Sequence, residues 1–417
     1  MTETSMNLFK EAMNLFPGGV HSPVRSKVKP YPFYVERAEG AKLYTIDGFE
    51  LLDYCMAYGA LILGHGDPRL RKIIEEQLRK GWIYGTPTKL ELDLARLIMK
   101  YFKAIEKLRF VNSGCEATML AVRVARAYTK RSFVVKFDGC YHGANDVLLA
   151  SSQLKPQGVL ECIIDKTLMA RYNDYDNVEA IFKKLGDDIA CVIVEPIAAN
   201  MGLVIPSKDF IKGLRELCDQ HGSLLVFDEI VTGFRVGLGG AQAMYGVEPD
   251  ITTLGKIVGG GFPIGVVGGR REIMSLISPE GPVPNAGTFN AHPISMIAGI
   301  GTLKLLEDGK VYEVANKAAK AISEEVETYA QQCDIKVQVA NVASMFHIFF
   351  TDKPVKNYDD ALRSNVALYD KFHEELLREG VFVPPSQFEV CFTSASHNDE
   401  VVAMTVNKMR KVLRSLK

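Results

Sequence analysis

The chain has 417 residues, 47% of them hydrophobic, with 49 Lys+Arg against 50 Asp+Glu for a formal net charge of −1. That is ample material for a folded core, and the near-neutral balance excludes a broad cationic surface for neutralising nucleic-acid phosphates. No apolar run approaches the roughly 20 residues that span a bilayer, and the opening MTETSMNLFKEAMNLF is polar and then amphipathic, without a signal-peptide pattern, so a cytoplasmic location is expected.

In chain order, residues 1–60 read as an N-terminal segment expected to pack with the C-terminal part of the chain. Leu108–Val111 is a short strand that runs into Asn112-Ser113-Gly114-Cys115-Glu116. A helical pattern then covers Glu116 to Tyr128, with Ala117, Leu120, Ala121, Val124, Ala125 and Tyr128 on one face. Phe133–Phe137 is a second strand, followed by Asp138-Gly139-Cys140-Tyr141-His142-Gly143. Ile189–Val194 is a third, ending at Glu195-Pro196. Phe210–His221 suits a helix, and Leu224–Phe227 is an all-apolar strand that stops at Asp228-Glu229. Ile251–Leu254 and Ile264–Gly268 flank a Gly-rich stretch. Short strands separated by helical stretches imply βαβ units, an α/β fold and a mainly parallel sheet. Further on, helices are expected over Asn316–Gln331 and Asp359–Glu379, with strands over Ser344–Phe350 and Val390–Ser394. The expected organisation is a large domain over 61–310 and a smaller α+β domain over 311–417.

Several familiar motifs are missing. There is no 20–50-residue repeat and no low-complexity segment. No G-x-x-x-x-G-K-[ST] occurs, because Asp250 stands where the first Gly is needed before Gly255-Lys256, and no G-x-G-x-x-G opens a helix. His373-Glu374-Glu375 is not completed as a zinc motif, and the eight histidines show no metal-ligand spacing, so no metal is expected. The eight cysteines stand singly and form no C-x-x-C pair; buried free thiols in a reducing compartment fit best.

Chemistry concentrates at strand ends, where open α/β sheets gather ligands. Ser113-Gly114-Cys115 precedes a helix, so its amides and the positive end of the helix dipole can face a phosphate; an ordinary N-cap reads the same way. Asp228 follows an apolar strand, which leaves either a buried carboxylate seeking a cation or a helix-capping Asp. Lys256, amid Thr-Leu-Gly and Ile-Val-Gly-Gly-Gly, lies on no amphipathic surface, which favours a desolvated, reactive amine over a solvated one. Tyr141 adds an aromatic plate and His142 an imidazole. Cradle, plate, buried carboxylate and amine are the parts a pyridoxal phosphate enzyme requires: the amine holds the aldehyde as a Schiff base and the carboxylate keeps the pyridine nitrogen protonated.

The chain resembles the fold-type-I, class III aminotransferases, and within them the aminomutase branch that acts on glutamate 1-semialdehyde. The stretches that carry the resemblance are Phe16-Pro-Gly-Gly-Val-His-Ser-Pro-Val-Arg25, Phe110-Val-Asn-Ser-Gly-Cys-Glu-Ala117, Val226-Phe-Asp-Glu-Ile-Val-Thr-Gly-Phe-Arg235, Thr253-Leu-Gly-Lys-Ile-Val-Gly-Gly-Gly261 and Val383-Pro-Pro-Ser-Gln-Phe-Glu-Val-Cys-Phe392. The first and last separate the aminomutases from other class III members. The resemblance implies pyridoxal or pyridoxamine 5′-phosphate as cofactor, with Lys256 as its anchor and proton shuttle and Asp228 on the pyridine nitrogen. Tyr141 would stack on the ring with His142 and Asn200 nearby, and Ser113, Gly114 and Cys115 would cradle the phosphate. Thr288 would reach the phosphate of a neighbouring subunit in a homodimer. Ser22 and Arg25 would bind the substrate carboxylate beside Tyr58, and Glu389 stands where relatives with a separate amino donor often carry Arg.

The implied reaction is isomerisation to 5-aminolevulinate for tetrapyrrole synthesis, with transient contact to an upstream glutamyl-tRNA reductase as a further question. A class III aminotransferase with separate donor and acceptor is the alternative. Departures from the pattern are His21, Tyr58 in place of Trp, Cys115 in place of Thr, Asn290-Ala291-His292, and an altered, shorter gating loop between Ala150 and Tyr172.

Overall fold

Seven strands form the large sheet: β1 (Lys107–Val111), β2 (Phe133–Phe137), β3 (Thr167–Ala170), β4 (Ile189–Val194), β5 (Leu224–Asp228), β6 (Ile251–Gly255) and β7 (Gly265–Gly269). The computed structural model describes residues 3–150 and 156–416. In space the order is β1-β7-β6-β5-β4-β2-β3. The β2–β3, β2–β4, β4–β5 and β5–β6 pairs are parallel, and only β7 runs antiparallel to its neighbours β6 and β1. β4, β5 and β6 are buried at every position, as strands covered on both faces must be. The helix Gly114–Thr129 packs Ala117, Leu120, Ala121 and Val124 in one cluster with Val134, Val226 and Val267. The helix Pro293–Leu306 packs on Leu254 and Val266 in another. This topology brings the carboxyl ends of β1, β2, β4, β5 and β6 to one edge.

The first 60 residues and the last hundred are tied by main-chain pairing. Val35–Glu39, Lys42–Thr45 and Glu50–Asp53 form a sheet completed by Val381–Phe382, which lies parallel to Glu50–Asp53. Leu52 and Tyr54 share a core with Phe346, Tyr369 and Met409. A three-stranded sheet joins Gln338–Val342, Met345–Phe349 and Cys391–Phe392.

Two expectations need correction. The stretch 150–172 is not wholly loop: it contains the helix Glu161–Ile164 and the strand β3, which pairs with β2, while residues 151–155 lie outside the described residues. Asp359–Glu379 is two helices, Tyr358–Leu362 and Val366–Arg378. The break falls where the Asn365 side chain accepts the Leu368 amide at 3.0 Å, an N-cap that starts a new helix. Among the described residues no helix is long and apolar enough to cross a membrane, no group of three His, Cys, Asp or Glu can hold a metal ion, and the cysteines are free, six of them buried.

Candidate active site

A cavity of about 470 Å³ opens at the carboxyl edge of the large sheet, lined among others by Ser113, Tyr141, Glu195, Asn200, Asp228 and Lys256. Each comes from a strand end: Asn112-Ser113 after β1, Tyr141-His142 after β2, Glu195 after β4, Asp228 from β5 and Lys256 after β6.

Ser113 caps the helix Gly114–Thr129, its Oγ accepting the Glu116 amide at 3.2 Å. The first turn of a helix has no intrahelical acceptors, so the amides of Gly114 and Cys115 remain available to the cavity they line. The site also needs bare backbone. A Cβ on Gly114 would lie 2.6 Å from Ile230 Cδ1, and one on Gly143, at φ +91°, would lie 2.6 Å from Cys115 Cα. The N-cap and anion-cradle readings of this motif are therefore compatible, since Ser113 serves the first without consuming the groups needed for the second.

Asp228 is held on both oxygens. Its Oδ2 lies 2.7 Å from His142 Nδ1, and its Oδ1 accepts from Thr253 Oγ1 at 3.2 Å and from the Ile230 amide at 3.1 Å. Both His142 and Asp228 are buried, and His142 Nε2 has no partner among the described residues. The neighbouring Glu229 turns away. It accepts from the amides of Ala241 and Gln242, from Gln242 Nε2 and from Thr232 Oγ1, capping the helix Gly240–Tyr245. Of the adjacent carboxylates, one serves the cavity and one the scaffold.

Lys256 follows β6 at φ +49°, a left-handed conformation unusual for a residue other than glycine and a mark of strain that concentrates at functional sites. Burial pushes its ammonium down from the usual range; the carboxylates of Glu389, Glu195 and Asp228 oppose this, and Arg235 adds to it. Glu389 is raised to about 7 by burial, with Glu195 adding to the rise and Lys256 and Lys27 opposing it.

Glu195 was not singled out from sequence, although it ends an apolar strand just as Asp228 does. It is buried, accepts the Tyr141 amide at 2.8 Å, the Ala199 amide at 2.8 Å and Asn200 Nδ2 at 3.0 Å, and burial raises its pKa. It thereby fixes two of the expected site residues. Tyr141 lines the cavity and is 57% exposed, so its ring is free to meet a ligand there.

The expected substrate residues are not all in this cavity. Arg25, His21 and Tyr58 line a second cavity of about 500 Å³ beside the N-terminal segment. Ala57 and Tyr58 border that cavity and Ala60 borders the first, so the short left-handed Met56–Gly59 turn forms the partition between them. Ser22 lines neither cavity and stands at the start of the turn Pro23–Lys27, where its carbonyl accepts the Arg25 amide at 3.0 Å. Thr288 is exposed and lines neither cavity, but Asn290, two residues on, accepts from Asn112 Nδ2 at 3.0 Å, next to the cradle. Two departures have local accounts: Ala291 holds φ +58°, and His292 Nδ1 accepts the Ile294 amide at the start of Pro293–Leu306. His21 lies 4.4 Å from Phe16, ring to ring.

The aminotransferase class III family model matches residues 24–413. A glutamate-1-semialdehyde 2,1-aminomutase of Hyperthermus butylicus is 51% identical, covering 100% of this chain and 99% of that protein. One of Sulfurisphaera tokodaii is 52% identical over 99% of this chain and 100% of that protein. Among solved structures, an omega-transaminase from Sphaerobacter thermophilus superposes with TM-score 0.94 at 33% identity, covering 99% and 97% of the two chains. A transaminase with PLP bound gives 0.92 at 31%, covering 100% and 98%. The chain belongs to the class III aminotransferases.

Proposed function

We propose that this class III family member is a pyridoxal phosphate-dependent aminomutase that converts glutamate 1-semialdehyde to 5-aminolevulinate, moving the amino group between adjacent carbons without an outside donor. The observation that carries the reading is identity of 51% and 52% over the whole chain with proteins named for that activity. The site's chemistry agrees with the cofactor: bare amides at a helix start for a phosphate, a carboxylate locked by His142 and Thr253 for a pyridinium, and a desolvated amine for an aldehyde.

When bound, the cofactor supplies an electrophilic carbon and a ring that withdraws electrons from the carbon bearing the amino group. Lys256 Nζ, biased toward its neutral form by burial, is the base that takes a proton from one substrate carbon and returns it to another. Asp228, its two oxygens held by His142 and Thr253, is the carboxylate that would pair with the ring nitrogen. Tyr141 presents its ring face, held by the Glu195–amide bond. Ser113, Gly114 and Cys115 receive the phosphate, and Asn200 stands at the cavity wall. Arg25, with Ser22, takes the substrate carboxylate, for which a guanidinium fork is suited. Glu389, at about 7, exchanges a proton near neutral pH and offers no fixed cation to a separate dicarboxylate donor.

Thr288 is assigned to the phosphate of a second copy, which makes the working unit a homodimer; an active monomer by light scattering would exclude that assignment. One observation favours a second reading, a transaminase with separate donor and acceptor: the 33% identity to the omega-transaminase structure. Nitrogen-15 in the substrate amino group separates the two. With unlabelled pyridoxamine phosphate at one equivalent, only the first equivalent of product is unlabelled and all later product carries the label. Continuous dilution by an added unlabelled amine would favour the transaminase.

A further inference from the structure

Arg235 is fully buried, yet no carboxylate pairs with it among the described residues. Its three hydrogen bonds go to neutral acceptors on three separate segments. Nη2 donates to Gly59 O at 2.8 Å, and Nη1 donates to Thr393 O at 3.0 Å and Ser344 Oγ at 3.1 Å. Burying an unpaired guanidinium is costly, and neutral acceptors alone do not demand a charge. The segments it joins explain its position. Gly59 ends the partition between the two cavities, where Met56, Ala57 and Tyr58 hold successive left-handed φ values of 43°, 52° and 55°. Such a run is strained for residues other than glycine and persists only when its surroundings fix it. Asp53 Oδ1 accepts the Cys55 and Met56 amides at the other end, and Asp53 Oδ2 meets His65 Nε2 at 2.7 Å. Thr393 follows the strand Cys391–Phe392, just beyond Glu389, and the Phe392 ring lies 5.1 Å from the guanidinium.

We propose that Arg235 is a positioning residue for the reaction, clamping the Tyr58-bearing partition and the Glu389-bearing C-terminal segment against the Lys256 cavity. It acts through these groups and touches no reacting atom. Its charge has a second consequence, because Lys256 faces Glu389, Glu195 and Asp228 with Arg235 as the opposing cation. The inference rests on the proposed function for the identity of the substrate, and on the family alone for the cofactor.

The test uses full-length enzyme loaded with pyridoxal phosphate, comparing Arg235→Met and Arg235→Lys with the parent chain. Removing the charge in Arg235→Met should raise the pH at which the visible absorbance of the loaded enzyme changes. Releasing the partition should raise KM about tenfold while kcat stays within about threefold. Arg235→Lys keeps the charge but cannot span three acceptors, so it should hold the spectral midpoint and still raise KM. A folded Arg235→Met with unchanged midpoint and KM would overturn the proposal. Should that variant fail to fold, an unchanged KM in Arg235→Lys overturns it equally. Loss of the proposed substrate alone would leave the spectral readout intact, so the two readings fail separately.

Discussion

Glu389→Gln isolates the one site carboxyl held at about 7. In the unfolded chain this group ionises near 4.5, whereas burial in the fold keeps its proton until about 7. The sign follows from linkage: below about 4.5 both states are protonated, and as pH rises to about 7 the unfolded chain is favoured progressively. Fully expressed, moving a carboxyl from 4.5 to about 7 is worth roughly 3 kcal/mol. The group is half-buried and lines neither cavity, and screening by solvent reduces the expected effect to about 1–2 kcal/mol. Gln preserves shape without ionising. Urea unfolding of cofactor-free parent and variant at pH 5, 6, 7 and 8 reads the difference directly: the variant should gain about 1–2 kcal/mol on the parent between pH 5 and pH 8, mostly below pH 7. A difference that stays constant with pH would mean that Glu389 ionises alike in the folded and unfolded states, against this expectation.

Three further substitutions address the cofactor. Lys256→Ala should abolish borohydride fixation of pyridoxal phosphate to the protein, read by peptide mass; a normally labelled active-site peptide would sink the assignment. Asp228→Asn leaves His142 facing an amide and the pyridinium without its anion, a broken buried pair worth about 3–5 kcal/mol, so absorbance titration should show cofactor affinity down by more than about a hundredfold. With the phosphate assigned to backbone amides, Cys115→Thr should change that affinity by less than about threefold; a large loss would show that the side chain carries it.

The strands of the large sheet were legible because a parallel strand covered on both faces is apolar throughout, as in Ile189–Val194 and Leu224–Phe227. Asp228 and Lys256 stood out for the same reason, as charges in apolar surroundings. Thr167–Ala170 was not legible: four residues, buried only at the ends, carry no periodicity, and pairing with β2 is what makes them a strand. The N-terminal strand Val35–Glu39 is mostly exposed and reads as loop. Glu195 was visible as a residue but not as a role, because the donor that ties it to the ring-bearing Tyr141 lies 54 residues away along the chain. Arg235 was hidden more deeply. Within Thr232-Gly-Phe-Arg235 nothing says that the guanidinium is buried, and its acceptors lie 109, 158 and 176 residues away. The division between the Lys256 cavity and the Arg25 cavity likewise follows from the left-handed Met56–Gly59 turn, a conformation that Met, Ala and Tyr do not announce.

The most direct test of the account is the number of turnovers the enzyme completes on glutamate 1-semialdehyde after loading with stoichiometric pyridoxamine phosphate and no other amino donor. Many equivalents of 5-aminolevulinate per active site are expected. No product, or a single equivalent that requires fresh donor to repeat, would contradict it and assign the chain to the transaminases with separate substrates.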